Sequence, residues 1–430
     1  MRTFTYQQFV FEWGQACDAE WRRLNPDNTN GPALSDVMHG VYGILVESKP
    51  VPGQPEPPGP SPLEPLTARG RHLYAGDRPF QIRALSEFDL VHLARIGNVD
   101  EVARRMDRAK AANRNVLRVL LMAKNLFDLS PAMPGYIEAQ RAVETMAHER
   151  GLRVEWVIFA DATQVMPSHA ERERFLDQIL SVLLPVDPVN LVNESRKNWD
   201  AKPTDPALLN MVAHVRREGF TCSLSDPSDV VDDPITGEPL RSSLVTLAQH
   251  GPILVLHAER KARDQRWAGW VDHLKGFNEV AFDLDRVLYH QEPMGAASVY
   301  QDGRRDNRPL AHLAASLVCA VMQMGYCYHY ISAQSDARPG LDLCAAAALV
   351  PCGPEWTPRN AGTGGACVTK FNGYDKIRSC DNGREAWAVG YGYRGGTVEW
   401  AGGWTPQSVG DWEQTVDGQT GRVTLWKATR

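Results

Sequence analysis

Between residues 80 and 331 the chain repeats one pattern: a short apolar run, a polar loop and, in most repeats, an amphipathic helical stretch. The apolar runs are Phe80–Leu85, Val116–Met122, Arg153–Ala160, Val189–Asn193, Thr221–Leu224, Ile253–His257, Val287–His290 and Tyr326–Ile331. Runs this short and continuous read as strands buried on both faces, the habit of a parallel sheet covered by helices. Between them, YIEAQRAVETMAHER sets Tyr136, Ala139, Val143 and Met146 at helical spacing, and DPALLNMVAHVRRE and DQRWAGWVDHLK share its texture. Gly151, Gly219, Gly251, Gly276 and Gly325 follow five of the helical stretches, where a left-handed residue ends a helix at little cost. Eight such units predict an α/β chain folded as a (β/α)8 TIM barrel, whose usual size is about 250 residues. An open doubly wound sheet normally carries a glycine-rich first βα turn. Here that turn is LSEFDLVHLARIGN, without G-x-G-x-x-G, and the barrel is preferred.

Three flanking pieces complete the expected organisation. Residues 1–48 read as a helical hairpin, Tyr6–Leu24 and Ala33–Glu47 around the turn-rich NPDNTNGP. Phe9, Trp13 and Cys17 stripe the first helix, and Leu34, Val37, Val41 and Leu45 the second. Two helices of that size bury too little surface to fold alone. The segment is therefore expected to self-associate into a homo-oligomer or to dock onto a larger assembly. The bland alternative is that it packs on the barrel's own helices. Residues 49–65 form a proline-rich, semi-rigid linker. The barrel then takes residues 66–350, opening with LTARGRHLYAGDRPFQI as a hairpin that turns on Gly76-Asp77, and LDLCAAAALV reads as its closing helix. Residues 351–430, rich in Gly, Trp and Val with Asn-Gly and Asp-Gly turns, predict a small, β-sandwich-like antiparallel domain.

Composition removes several functions. A net charge of −6 offers no basic footprint for nucleic acid. No apolar run reaches the roughly 18 residues needed to span a bilayer, so no membrane partner is expected. MRTFTYQQFVFEWGQACDAEW lacks the apolar centre of a Sec signal. A cytoplasmic or particle-associated location is therefore expected, for example in a virion, with release by a non-classical route such as lysis. No C-x-x-C, HExxH, G-x-x-x-x-G-K-[ST] or G-x-S-x-G occurs, so no metal or cofactor is called for. Cys17, Cys222, Cys319 and Cys327 sit in apolar or helical stretches and read as buried thiols. Cys344, Cys352, Cys367 and Cys380 cluster near the C-terminus, where free thiols and one or two bridges are both open.

Catalytic groups of a barrel gather where its strands end and the βα loops begin. The fourth run, VNLVNES, ends on Asn193-Glu194; the seventh, VLYHQEPMGA, ends on Glu292; the second carries Arg118; the sixth ends on His257. This order resembles the clan A glycoside hydrolases, such as glycoside hydrolase family 5, over roughly residues 66–336. The resemblance implies a retaining glycoside hydrolase with a carbohydrate substrate, Glu194 as general acid/base and Glu292 as nucleophile. It also implies Arg118 beside Glu292 and Asn193 on the sugar 2-hydroxyl. Two positions depart from the family pattern: Ser195 stands where proline is usual, and Glu259 where a tyrosine commonly follows the strand-six histidine.

The chemistry suits the spacing. A double-displacement glycosidase needs two carboxyl groups about 5–5.5 Å apart, and strands four and seven end on opposite sides of an eight-stranded mouth. His257 and His290 are further sugar or nucleophile contacts, although only one of His290 and Gln291 can share Glu292's face. Tyr330 or Tyr328 offers an aromatic platform or plain packing, and Asp161 a cleft acid or a helix cap. Trp199, Trp267 and Trp270 offer stacking faces, with core packing the stronger reading for the last two. The alternative function is a non-catalytic carbohydrate-binding or structural component of a larger particle, for example a phage virion, on an inherited barrel.

Overall fold

The computed structural model describes residues 63–124, 126–193, 199, 205–224, 249–257, 283–292, 309–329, 338, 340–374, 376–392, 396–416 and 419–430. The helical expectation for residues 1–48, most of the linker, Glu194, Tyr330, Trp267 and Trp270 lie outside the described residues, as do the side chains of His257 and Glu292.

Eight parallel strands close into a barrel in chain order: β4 (Arg83–Ser86), β5 (Val116–Leu120), β6 (Arg153–Phe159), β7 (Val189–Val192), β8 (Cys222–Leu224), β9 (Ile253–His257), β10 (Val287–Glu292) and β11 (Gly325–Tyr328). They are preceded by an antiparallel three-stranded sheet, β1 (Leu66–Arg69), β2 (His72–Ala75) and β3 (Arg78–Phe80). The expected first strand, Phe80–Leu85, thus divides: Phe80 ends β3 and the barrel begins at Arg83. The cause is the turn at Gly76-Asp77, which folds Phe80 back onto Leu73. This sheet plugs the N-terminal end of the barrel. Leu73 packs in one cluster with Ile82, Ala84, Val116, Ile253 and Val287, and the Arg153 guanidinium donates to Glu64 O at 2.6 Å.

The described helices are α1 (Leu90–Arg95), α2 (Val99–Ala111), α3 (Tyr136–Glu149), α4 (Ala162–Val165), α5 (His169–Leu180), α6 (Pro206–Arg217) and α7 (Pro309–Val321). Gly151 and Gly219 end α3 and α6 with φ of 72° and 89°, the left-handed residues the sequence suggested. Gly325 does something else. The left-handed turn after α7 falls on Gln323, with φ of 60°, and Gly325 begins β11. A Cβ there would meet Tyr289 Cδ2 at 3.1 Å and Ile82 Cβ at 3.1 Å, so close packing inside the barrel favours glycine.

Leu310 to Val321 of α7 are all buried, as a helix apolar on every side must be. One side meets the barrel. The other meets a five-stranded antiparallel sheet built from β12 (Thr357–Asn360), β14 (Lys376–Asp381), β15 (Glu385–Gly392), β18 (Gln419–Thr429) and β17 (Thr405–Val416), in that order. Trp387, Val389, Tyr391, Val423 and Leu425 of this sheet join the main core. A two-stranded ribbon, β13 (Val368–Asn372) with β16 (Thr397–Trp400), packs through Val368, Val398 and Trp400 with Ala386, Ala388 and Ala428 of the sheet. The expected closing helix is a 3-10 segment, Leu343–Leu349. Cys222, Cys319, Cys327, Cys344, Cys352, Cys367 and Cys380 are free thiols. Burial pushes the pKa of Cys222 up to about 12, which leaves that thiol unreactive. Among the described residues, no helix is long and apolar enough to cross a membrane.

Candidate active site

The lumen face is fixed by contacts that cross the barrel. β6 and β10 are four strands apart in the ring of eight, so side chains joining them must traverse the interior. Tyr289 Oη of β10 donates to Glu155 Oε2 of β6 at 2.8 Å, and Gln291 Nε2 donates to Glu155 Oε1. Tyr289, Gln291 and Glu155 therefore point inward, and all three are buried. Burial, reinforced by the Glu155 carboxylate, pushes the Tyr289 phenol well above its ordinary pKa and keeps it a donor.

Arg118 faces the same space. It is the register partner of Glu155 across β5 and β6, is fully buried, and lies 5.0 Å from the Phe88 ring centroid. Its Nη2 donates to Asn193 Oδ1 at 2.6 Å, just past the end of β7. The structure thus brings together two residues singled out in the sequence, Arg118 and Asn193. The backbone N–H of Asn193 donates to Phe159 O at 3.1 Å, which extends the β6–β7 pairing by one residue and fixes where that side chain starts.

The end of β10 is irregular. Tyr289 pairs with Val255 and His290 with Leu256, but Glu292, not Gln291, pairs with His257. Two residues of β10 are therefore set against one of β9, which is a β-bulge. Without it, the two-residue alternation from Tyr289 through Gln291 would assign residue 292 to the outer face. With it, residue 292 stands in register with His257, two residues beyond lumen-facing Val255.

Other expected residues fall differently. His290 is fully buried between Tyr289 and Gln291, both of which face the lumen, so the pleat turns it to the helix layer. Of the pair His290 and Gln291, only one of which was expected to share the inner face, it is Gln291 that points inward. Tyr328 is also buried, its ring 4.7 Å from that of His312 in α7, and is a packing residue. Trp199 is buried 4.9 Å from the Phe159 ring, with the Arg172 guanidinium 4.4 Å from its own ring, and presents no open stacking face. Asp161 occupies the cap position of α4 without a capping hydrogen bond; its Oδ2 instead accepts from the Lys124 backbone N–H at 2.6 Å, tying the second βα loop to the third.

Further polar residues gather at the mouth. Ser86 Oγ is 2.8 Å from His329 Nδ1 at the ends of β4 and β11, and the His329 ring lies 5.4 Å from Phe88. Next to them Glu87, fully buried, accepts from Arg105, Arg108 and Arg338, each at 3.2 Å. Glu155 was open to detection as an acid inside the run RVEWVIF. Its inward direction was not, because both faces of that strand are buried.

No protein-family model and no curated protein sequence matches the chain. Solved structures do match in fold. One described as a glycoside hydrolase aligns over 85% of this chain and 97% of its own, with 12% identity and a TM-score of 0.59. A glycoside hydrolase family 5 structure from Bacteroides vulgatus aligns over 85% and 93%, with 13% identity and a TM-score of 0.59. The chain has the fold of the glycoside hydrolase family 5 barrels. The expected barrel and its small C-terminal β region are both present.

Proposed function

We propose that the chain is a retaining glycoside hydrolase that cleaves a β-linked poly- or oligosaccharide, with Glu194 as general acid/base and Glu292 as nucleophile. The observation that carries this reading is the Arg118–Asn193 hydrogen bond at the mouth of a barrel of this fold. It holds a buried guanidinium at the end of β7, which Glu194 follows in sequence, on the lumen face that Tyr289 and Gln291 of β10 share. A nearby positive charge favours the ionised form of the nucleophile. The bulge at Gln291 and Glu292 supports the same reading, because bulges re-aim side chains next to active sites. In this scheme Glu292 attacks the anomeric carbon while Glu194 protonates the leaving oxygen. Glu194, now a base, then activates water to release the sugar. Asn193 donates its amide N–H to the 2-hydroxyl while its oxygen stays bound to Arg118. His257, in register with Glu292, Asp161 and Tyr330 complete the proposed substrate contacts, and residues 1–48 are the proposed docking or self-association segment.

The test is turnover across a panel of aryl β-glycosides and β-linked polysaccharides, with two variants alongside. Glu292→Ala should abolish turnover of every substrate, because the glycosyl-enzyme cannot form. Glu194→Ala should spare substrates whose leaving group needs no proton, and azide should partly restore its rate. Azide rescue of Glu292→Ala with inverted product would reverse the two roles. No turnover on any substrate would favour a binding or structural protein.

A further inference from the structure

In the sequence an amide precedes each proposed catalytic glutamate: Asn193 before Glu194, and Gln291 before Glu292. In the structure each amide is held by one of two buried side chains of opposite kind, a guanidinium and a carboxyl group. Arg118 Nη2 donates to Asn193 Oδ1, and Gln291 Nε2 donates to Glu155 Oε1. Arg118 and Glu155 are themselves register partners on adjacent strands. We propose that Glu155 is a positioning residue for Glu292, holding the bulged end of β10 through Gln291 and Tyr289 and offsetting the charge of Arg118 beneath the mouth. The proposal rests on the reading of Glu292 as nucleophile.

Two physical arguments support it. The first is mechanical. A bulge interrupts the ladder of strand hydrogen bonds, so the residues around it need other restraints. Here both oxygens of one carboxylate accept from β10, at the residue before Glu292 and at the residue three before it. Gly325 keeps open the space that the Tyr289 ring occupies. The second is electrostatic. Both oxygens of Glu155 act as acceptors, the pattern of an ionised carboxylate. A buried carboxylate is costly unless paired and hydrogen-bonded, and Glu155 has two donors and a guanidinium in register. Without its charge, Arg118 would act unopposed on the mouth carboxyls and lower their pKa values. A general acid must keep its proton near the working pH, so an offset guanidinium suits Glu194. Among the described residues, Arg118 from β5 is in register with Glu155, Tyr289 from β10 donates to it, and Cys327 from β11 acts in turn on Tyr289. On β9, His257 stands in register with Glu292.

Glu155→Gln keeps the shape of the side chain and removes its charge. Its kcat should fall by about 10- to 100-fold, the scale of a misplaced reacting group, while KM changes by less than about threefold. Both limbs of the kcat/KM pH profile should move to lower pH by about 0.5 to 1 unit, because loss of a negative neighbour makes each carboxyl easier to ionise. A substrate-free measurement accompanies it: a carbon-13 titration of the Glu292 carboxyl, assigned with Glu292→Gln, should shift to lower pH in the Glu155→Gln protein. If Glu155→Gln does not fold, Gln291→Leu isolates the mechanical tie, and kcat should still fall with KM held. A lower melting temperature with the pH profile and the Glu292 titration both unmoved would mean that Glu155 is only structural and would overturn the proposal. So would an unchanged kcat in Gln291→Leu. If the wild type cleaves no glycoside yet the titration still moves, the hydrolase reading fails and the coupling stands. If the wild type is active and neither quantity moves, the coupling alone fails.

Discussion

Arg118 on the second barrel strand reaches Asn193 at the end of the fourth, with Nη2 2.6 Å from Oδ1 and the guanidinium 5.0 Å from the Phe88 ring centroid. This contact uses what distinguishes arginine from lysine, a planar fork that stacks on an aromatic face and donates in a fixed direction. Arg118→Lys keeps a positive charge and loses both features. It should lower kcat/KM by about 100-fold or more and stability by about 1–3 kcal/mol. Arg118→Met should cost about 3–5 kcal/mol, because it leaves Glu155 as a buried charge without its register partner. Urea unfolding of the two variants beside the wild type checks the ordering. Equal stability losses would show that the guanidinium's charge is unimportant to the lumen.

Glu87 joins three elements at the mouth. Its backbone N–H donates to Arg118 O at 3.0 Å, and its carboxylate meets Arg105 and Arg108 of α2 and Arg338 after β11. Its side chain has no exposure to solvent. Glu87→Gln would remove the charge that Arg105, Arg108 and Arg338 share, while Asp89, 2.7 Å from Arg105, and Glu101 would still accept from Arg105. The expected loss is about 3–5 kcal/mol. Urea unfolding of Glu87→Gln beside the wild type checks it, and an unchanged midpoint would show that the three guanidiniums do not depend on the Glu87 charge.

The barrel was legible because its strands are continuous apolar runs, and seven of them lie within a few residues of where they were expected. The first slipped because RPFQIRAL spreads its apolar residues across two strands, β3 and β4, and only the pairing of Phe80 with Leu73 separates them. Arg118 and Asn193 were legible because a polar residue in or ending an apolar run is conspicuous. The roles of Glu155 and Gln291 were not. In strands buried on both faces no alternation marks the inner side, and the bulge that breaks the alternation at Glu292 leaves no sequence mark. For His290 and Tyr328 the sequence left packing and substrate contact both open for the same reason: a polar or aromatic residue in such a strand can meet the helix layer as readily as the lumen.

Gly325→Ala tests the packing that seats Tyr289. The added methyl would approach Tyr289 Cδ2 and Ile82 Cβ at 3.1 Å each, closer than ordinary contact, and neither neighbour is a flexible chain end. Overpacking of this kind costs about 1–3 kcal/mol. Any displacement of the Tyr289 ring should also weaken its bond to Glu155, so activity should fall with stability. Tyr289→Phe, which loses the bond and leaves the packing, is the control. Gly325→Ala with full stability would show that β11 moves away at little cost.

The last prediction concerns the other end of the barrel, where α3 meets the loop before β7. Glu144 and Asp187 are both buried there. Glu144 Oε1 accepts from the Leu184 backbone N–H at 3.1 Å, and Asp187 accepts from His148 Nε2 and from the Val154 backbone N–H. Burial, reinforced by the Asp187 charge, raises Glu144 from 4.5 to about 7. Burial lowers the pKa of His148, but its hydrogen bond to Asp187 and the charges of Asp187 and Glu144 together outweigh that and raise it. Both folded values lie above the unfolded ones, so the folded state binds the extra protons, and stability must fall as pH rises. Glu144 contributes fully below pH 4.5 and loses its contribution on the way to about pH 7. His148 contributes below 6.5 and loses its contribution above that value. Discounted for partial solvent screening, the Glu144 share is about 1–2 kcal/mol. Glu144→Gln keeps an acceptor for Leu184 and removes the titration. Its unfolding free energy should therefore stay nearly flat between pH 4.5 and 6.5, where that of the wild type declines. Chemical denaturation at half-unit pH intervals measures both curves. Parallel curves for the two proteins would mean that Glu144 ionises in the folded protein as readily as in the unfolded chain.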